Sequence, residues 1–258
     1  MCRCRGSDVG LLAFVQARMN ESTAAIPSLS VIVATFNEER TIEECVRRIF
    51  AVYPEDCEVL VVDGGTDRTG EIVEAMTAEF SGLRYVRNEN DRGKGHATKT
   101  GIQAARGQIM VEIDADLQFL PEELPRLVEP LNAGIADVVL GSRFAKDSVR
   151  RPGSTPPLRT FGNKTTSLYA SLLFGHRMTD VLAGMMAWTR RTIETIDLRS
   201  DNYSYEVEIP VKALRQGLRV VDVPVTTDSR QGGQSNVSVV TDGITILFDI
   251  TRFRLGLG

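Results

Sequence analysis

The chain has 258 residues, of which 42% are hydrophobic, so it can bury one large core and a single α/β domain is expected. Its formal net charge of −4 gives no overall positive field, which argues against a nucleic-acid-binding protein and predicts no nucleic-acid partner. No apolar stretch reaches the length of a membrane-spanning helix, and the four cysteines lack the spacing of a zinc site or a disulfide scaffold.

From residue 29 onward, apolar runs alternate with helical patterns. The predicted strands cover residues 29–35, 58–63, 83–88, 108–116 and 136–144, and the predicted helices between them cover 38–50, 68–80, 96–106 and 122–131. The runs are nearly continuous and rich in Val and Ile, as in strands that are covered on both faces. This pattern predicts an α/β fold with a doubly wound, mostly parallel, Rossmann-like sheet, in which ligands bind beyond the carboxyl ends of the strands.

The regular alternation ends after residue 144. Residues 145–160 are rich in Pro, Gly, Ser and Arg and predict a long loop of the kind that often forms a lid or binding segment. Further on, the patterns predict helices over 161–175 and 203–216, a strand over 219–225 and a polar loop over 226–236. We therefore expect one domain over 29–240, a disordered extension over 1–28, and a C-terminal amphipathic helix over 241–258 that associates with a membrane.

Two acidic residues, Asp114 and Asp116, follow the fourth predicted strand in "VEIDADLQ". On an extended chain their side chains share one face about 7 Å apart. At an effective dielectric near 20 they repel each other by roughly 2 kcal/mol, so a cation is expected beside them, and a divalent metal is the first candidate. The alternative is that these residues simply precede the helix that "LPEEL" begins, where acidic side chains are favourable.

Several motifs in chain order resemble glycosyltransferase family 2. These are "VIVATFNEE", "VVDGGTDRT", "NDRGKGHATKTG", "DADLQ", "GSRF", "TDVLAGM", "EVEI" and "DSRQGGQS". The resemblance spans about residues 29–240 and implies the nucleotide-diphospho-sugar fold called GT-A. Within the family, the chain is similar to the polyprenyl-phosphate hexose synthases, of which dolichyl-phosphate mannose synthase is typical.

The resemblance also implies roles for individual residues. It implies a Mg²⁺ or Mn²⁺ ion, which suits all-oxygen ligation, and metal ligands at Asp114, Asp116 and Gln118, which share one side if the strand continues. It implies donor binding by Ala34, Phe36, Glu38, Asp63, Lys94, Asp114 and Arg230. It implies that Arg143 and Arg159 grip the acceptor phosphate and that these two arginines and Asp116 are the catalytic residues.

Two departures from the family pattern affect these assignments. The second-strand turn usually has two consecutive aspartates, whereas here Asp63 stands alone before Gly64. The segment "AGMM" at 183–186 replaces the more usual Ser-Gly-Phe-Arg, so no contact made by that arginine is carried over.

The expected function is an inverting transfer of a hexose, first of all mannose from GDP-mannose, to a polyprenyl or dolichyl monophosphate. A lipid phosphate is already an anion, so it can attack without a general base, and positive charge must hold it near the donor. The expected partners are the nucleotide sugar, the lipid phosphate and a membrane surface or small membrane protein, with the enzyme peripheral at the cytoplasmic face. The alternatives are a UDP-glucose-dependent enzyme of the same kind, a family 2 transferase acting on a glycan hydroxyl with Asp180 as a candidate base, and a non-catalytic nucleotide-sugar sensor.

Overall fold

The computed structural model describes residues 27–232 and 241–257. Residues 1–26, which make up most of the extension predicted to be disordered, lie outside the described residues. The same applies to 233–240, the end of the predicted polar loop and the last "GQS" of its motif, and to residue 258.

Strands and helices alternate along the described chain. The strands are β1 Leu29–Thr35, β2 Cys57–Asp63, β3 Leu83–Arg87, β4 Ile109–Ile113, β5 Val138–Ser142, β6 Val149–Arg150, β7 Met185–Thr189, β8 Val220–Pro224 and β9 Thr226–Thr227. The helices are α1 Ile42–Val52, α2 Thr69–Met76, α3 Lys94–Ala104, α4 Leu124–Asn132, α5 Pro157–Phe174, α6 Arg190–Thr195, α7 Tyr205–Arg215 and α8 Thr241–Leu255, with one 3₁₀ turn at Pro121–Glu123.

A seven-stranded sheet forms the centre, in the order β3-β2-β1-β4-β7-β5-β8. All neighbouring pairs are parallel except those of β7, which runs antiparallel to both β4 and β5. The prediction of a doubly wound, mostly parallel α/β sheet is confirmed. A parallel pair of short strands, β6 and β9, lies outside the main sheet and joins the long loop to the segment after β8.

Apolar side chains cover both faces of the sheet, which explains why its strands are continuous apolar runs. In β1, Val31 and Val33 pack into the core that α1, α2 and α4 cover, whereas Ile32 packs into the core on the opposite face, with side chains from α3, α5, α7 and α8. This burial leaves the carboxyl ends of the strands, where the chain turns, as the place for polar groups.

The structure corrects several predicted boundaries. Helix α1 begins at Ile42 rather than at 38, because residues 38–41 form a turn in which the Thr41 amide donates to the Glu38 carbonyl. Helix α5 begins at Pro157, inside the predicted loop, and proline at the first helical position suits that start. The antiparallel strand β7 was not predicted, since "MMAWT" is a short apolar run that periodicity cannot assign.

The amphipathic segment predicted over 241–258 forms helix α8 as far as Leu255. It packs beside α5, where the Tyr169 hydroxyl lies 2.8 Å from Thr251 Oγ1. Within the described residues, no helix combines the length and apolar character that crossing a membrane requires.

Candidate active site

A cavity of about 560 Å³ lies at the end of the sheet formed by the carboxyl ends of the parallel strands. Its walls come from the segment after β1, the turn after β4 and helices α3 and α5. Among its lining residues are Ala34, Phe36, Glu38, Lys94, Asp114, Asp116, Gln118, Arg143, Arg159 and Arg230. The structure therefore brings every residue that the sequence assigned to the site, except Asp63, to one cavity.

Asp63 ends strand β2 and is buried away from the cavity. Its Oδ1 accepts hydrogen bonds from Thr35 Oγ1 at 3.2 Å and from the Gly65 amide at 2.9 Å. Its Oδ2 accepts from Tyr85 at 3.3 Å and from Arg87 at 3.2 Å. Both oxygens thus hold the turn after β2, and Asp63 does not line the cavity; its role in binding the donor stays a prediction.

The acidic pair stands in a tight turn after β4. The strand ends at Ile113, and Leu117 adopts a left-handed φ of +60° that reverses the chain. Asp116 Oδ1 accepts a hydrogen bond of 2.8 Å from the Gln118 amide, which fixes its carboxylate. Asp114 lies against Gly184, where a Cβ would overlap the carboxylate, so a larger residue in this position of "AGMM" would displace the Asp114 side chain.

Gln118 lines the cavity, but the condition for its side chain to share a face with the acidic pair is not met; its role as a metal ligand stays a prediction. The strand does not continue past Ile113, so the spacing of 114, 116 and 118 no longer puts their side chains on one face. The Gln118 side-chain amide nitrogen donates to the Ser154 carbonyl and thereby ties this turn to the long loop.

Two cationic side chains accompany the carboxylates. Lys94 Nζ lies 2.7 Å from Asp114 Oδ1, and Arg230 Nη2 lies 2.7 Å from Asp116 Oδ2. Burial, and then the charge of Asp114, raise the pKa of Asp116, whereas Arg230 opposes the shift. Burial likewise raises the pKa of Glu38, and Asp116 and Asp114 add to it. Negative charge therefore accumulates here beyond what the two cations balance.

The carboxylate oxygens of Asp114 and Asp116 are suitable ligands for a hard divalent cation. Asp116 Oδ2 is buried and, within the described chain, accepts no well-directed hydrogen bond, although the Arg230 guanidinium is close. Residues 27–232 and 241–257 contain no cluster of three or more His, Cys, Asp and Glu side chains arranged to hold a metal by themselves. Two carboxylates completed by substrate phosphates are, however, an ordinary protein share of a Mg²⁺ site, so the residues present fit such an ion.

A buried charged cluster lies beneath the acidic pair and was not predicted. Lys94 Nζ is 3.1 Å from Glu206 Oε1 and 3.4 Å from Glu112 Oε1, and Tyr205 donates its hydroxyl proton to Glu112. Burial raises the pKa of Glu112 to about 7. The sequence signal was the single acidic residue inside the apolar strand "IMVEI", because an unpaired carboxylate is costly there.

Arg143 lines the cavity, but its charge is already compensated. Its Nε and Nη2 lie 2.7 and 2.9 Å from the two carboxylate oxygens of Asp180, and its amide also donates to Asp180. Asp180 is fully buried, so it is not placed to accept a proton from an acceptor hydroxyl. The Arg143–Asp180 pair therefore forms part of the cavity wall.

Arg159 projects from α5 into the same cavity and is half-buried. Burial, and then the positive charges of Arg230 and Arg143, lower the pKa of Arg159. Three arginine side chains thus line the cavity, and guanidinium groups bind phosphate through parallel hydrogen bonds. This side of the cavity is therefore suited to a phosphate group.

The comparisons agree with this geometry. The model of "Glycosyl transferase family 2" matches residues 30–195. An undecaprenyl-phosphate mannosyltransferase of Micrococcus luteus is 31% identical over 88% of this chain and 98% of its own. A polyprenol monophosphomannose synthase of Mycolicibacterium smegmatis is 32% identical over 81% of this chain and 80% of its own.

Among solved structures, a glucosyl-3-phosphoglycerate synthase from Mycobacterium tuberculosis, in complex with Mn²⁺, UDP and glucosyl-3-phosphoglycerate, has a TM-score of 0.67. It shares 24% identity, and the match covers 100% of this chain and 88% of that one. At this identity the likeness establishes the GT-A fold alone. The family model and the curated relatives go further: the chain belongs to glycosyl transferase family 2.

Proposed function

We propose that this enzyme transfers a hexose from a nucleotide diphosphate sugar, first of all mannose from GDP-mannose, to a polyprenyl or dolichyl monophosphate. It works with inversion and acts peripherally at the cytoplasmic face of a membrane. The names of the two curated relatives, one matched over 98% of its length, support this acceptor class.

The main support for this proposal is helix α5, which lines the charged cavity with one side and exposes apolar residues on another. Arg159, Gly162 and Asn163 line the cavity from one side of the helix. In the same turns, Leu158 and Phe161 are 66% and 71% exposed. A polyprenyl phosphate has this arrangement of groups: a charged head for Arg159 and an apolar chain for the residues beside it.

Helix α8, which packs beside α5, also carries exposed apolar residues. Together with those of α5, we call them the apolar face of α5 and α8; it consists of the exposed residues Leu158, Phe161, Leu168, Leu172, Ile244, Phe248 and Leu255. Arg252 and Arg254 lie on the last turn of α8 beside it. Apolar residues bordered by cations are typical of a helix pair that lies on an anionic membrane surface, and we propose that the membrane covers this face.

In the proposed reaction, different residues of the cavity bind the metal, the donor phosphates and the acceptor phosphate. Asp114 and Asp116 would hold a Mg²⁺ or Mn²⁺ ion, which when bound stabilises the charge of the leaving diphosphate. Arg230, beside Asp116, adds a planar cation for the same phosphates. Arg159 holds the acceptor phosphate, one of whose anionic oxygens displaces the nucleoside diphosphate from the anomeric carbon. Arg143 orders this wall through Asp180 rather than by free charge.

The second candidate function is transfer of the sugar to a hydroxyl group, and the position of Glu206 favours it. This carboxylate lines the cavity, where a carboxylate is a candidate general base, and burial raises its pKa. Glu206 is nevertheless 3.1 Å from Lys94, which competes for the same oxygen. A charged acceptor avoids the need for a base and therefore fits the site better.

The test is to incubate purified protein with labelled GDP-mannose or UDP-glucose, Mn²⁺ or Mg²⁺, and undecaprenyl phosphate, and to measure organic-soluble label. We expect label from the lipid phosphate, none from undecaprenol, and none with the Asp116→Asn variant. If labelled lipid forms with UDP-glucose but not with GDP-mannose, the donor is UDP-glucose instead of GDP-mannose. Equal product from undecaprenol, or product from a soluble sugar only, would overturn the acceptor assignment.

A further inference from the structure

Gly64, where the family pattern usually has a second aspartate, is covered by another carboxylate. A Cβ built on Gly64 would lie 2.7 Å from Cγ and Oδ2 of Asp91 and 2.8 Å from its Cβ. The side chain of Asp91, from the loop between β3 and α3, therefore occupies the space that a side chain at 64 would take.

The loop holds this carboxylate by one oxygen. Asp91 Oδ1 accepts hydrogen bonds from Asn88 Nδ2 at 2.7 Å and from the Gly93 amide at 3.1 Å. The turn depends on Gly93, whose φ of +118° is one that other residues rarely adopt. Oδ2 accepts no hydrogen bond from any donor in residues 27–232 and 241–257, and Asp91 lines the cavity.

The sheet order places Asp91 on the side away from the phosphate-binding groups. The acidic pair follows β4, whereas Asp91 follows β3, and β2 and β1 lie between these strands. If the diphosphate lies at the acidic pair, the nucleoside extends across the end of β1, past Ala34 and Phe36, toward Asp91. This step rests on the proposed function, since it requires a nucleotide donor.

We propose that Asp91 recognises the nucleoside of the donor by accepting a hydrogen bond on Oδ2. Asp63, at the end of the neighbouring strand β2, does not line the cavity, and both of its oxygens accept hydrogen bonds within the protein. Two parts of a nucleoside offer the matching donor: an N–H group of the base and a hydroxyl of the ribose. Both are neutral donors to a carboxylate, and hydrogen bonds of that kind are among the stronger ones in proteins.

The test is calorimetric titration of GDP and UDP in the presence of Mn²⁺ into the wild type and the Asp91→Asn variant. Asparagine can still accept from Asn88 and Gly93 through its own oxygen, but it presents an amide N–H₂ where Oδ2 stood. We expect affinity to fall roughly tenfold or more for the preferred nucleotide. Glu89→Gln is the control, because it removes an equal charge from an exposed side chain two residues away. Thermal unfolding checks that both variants fold.

Nucleotide analogues identify the group that Asp91 accepts from. Inosine diphosphate lacks the 2-amino group of the guanine base, and 2′-deoxy-GDP and 3′-deoxy-GDP each lack one ribose hydroxyl. The analogue that lacks the recognised donor should bind the wild type weakly, and the Asp91→Asn variant should no longer distinguish it from GDP. Equal affinity of wild type and Asp91→Asn for every nucleotide would overturn the inference and leave the proposed function standing. Failure of the wild type to bind either GDP or UDP would instead overturn the proposed function.

Discussion

At the scale of single residues, cavity-lining position does not by itself define a role. Arg143 and Arg159 both line the cavity and resemble a pair that grips the acceptor phosphate. Arg143 is 5% exposed and forms two hydrogen bonds with the buried Asp180 carboxylate. Arg159 lies instead on helix α5, where burial and then the charges of Arg230 and Arg143 lower its pKa. The two arginines should therefore respond differently to the same substitution.

We expect Arg159→Ala to raise the KM for lipid phosphate roughly 30-fold, equivalent to about 2 kcal/mol, with little change in stability. Arg143→Ala should instead lower the free energy of unfolding by about 3–5 kcal/mol, because it leaves Asp180 buried without its partner. Steady-state kinetics and urea unfolding of both variants measure the difference. Equal losses of stability in the two variants would contradict this division.

Glu112 should make stability depend on pH. Its folded-state pKa, about 7, lies above the ordinary value of 4.5, so the folded protein holds a proton that the unfolded chain releases. Stability from this group is fully present below about pH 4.5 and is lost as pH rises through about 7, by up to roughly 3 kcal/mol. Glu112→Gln should remove this part of the pH dependence. Urea unfolding in EDTA between those pH values compares the two proteins, and parallel profiles would contradict the assignment.

At the scale of elements, the parallel β/α units were predicted because their strands are apolar runs and helices such as α1 and α4 bury one apolar stripe. Periodicity could not predict β7, whose five residues are as apolar as a buried helix. It also could not predict the turn at Asp114–Gln118. A positive φ is usually indicated by glycine in the sequence, but here the residue is Leu117. Because of that turn, the side chains of residues 114, 116 and 118 do not alternate as they would on a strand.

The long-range contacts of the site were also outside the reach of sequence patterns. The ion pair of Arg143 with Asp180 joins residues 37 positions apart, and Asp91 meets Gly64 only because β2 and β3 are neighbours. The motifs located the cavity, since they follow the strand ends. The role of each motif residue depended on its partners.

The apolar face of α5 and α8 leads to a prediction at this scale. Phe161→Ser and Phe248→Ser should each weaken binding to vesicles of phosphatidylcholine and phosphatidylglycerol, because a buried Phe contributes about 1.5–3 kcal/mol. Ile135→Ser is the matched control, since Ile135 is 62% exposed in the turn after α4. Vesicle flotation measures the bound fraction. An equal effect of Ile135→Ser, or none of the two Phe substitutions, would contradict a membrane-facing surface.

At the scale of the whole molecule, the net charge does not reveal how charged side chains are distributed around the cavity. The chain carries −4 overall, yet Arg143, Arg159 and Arg230 all line the cavity that Asp114 and Asp116 also line. The fold brings these groups together from distant segments: the carboxylates follow β4, whereas the arginines come from segments after β5 and β8. A nucleotide with its metal would bind the folded arrangement only, so ligand binding should be visible as stability of the entire domain.

We expect GDP together with Mn²⁺, at a concentration about 100 times its dissociation constant, to stabilise the protein by roughly 2.7 kcal/mol. For a chain of this size, that corresponds to a rise in Tm of roughly 5–10 °C. Asp116→Asn should remove most of the rise, because it deletes one of the two carboxylates that would hold the metal, whereas Glu55→Gln, on an exposed loop, should retain it. Differential scanning calorimetry with GDP alone, Mn²⁺ alone and both measures each contribution. The same rise without Mn²⁺, or in Asp116→Asn, would show that the acidic pair does not couple metal and nucleotide. Since the readout is unfolding rather than turnover, it tests the metal assignment independently of the identity of the acceptor.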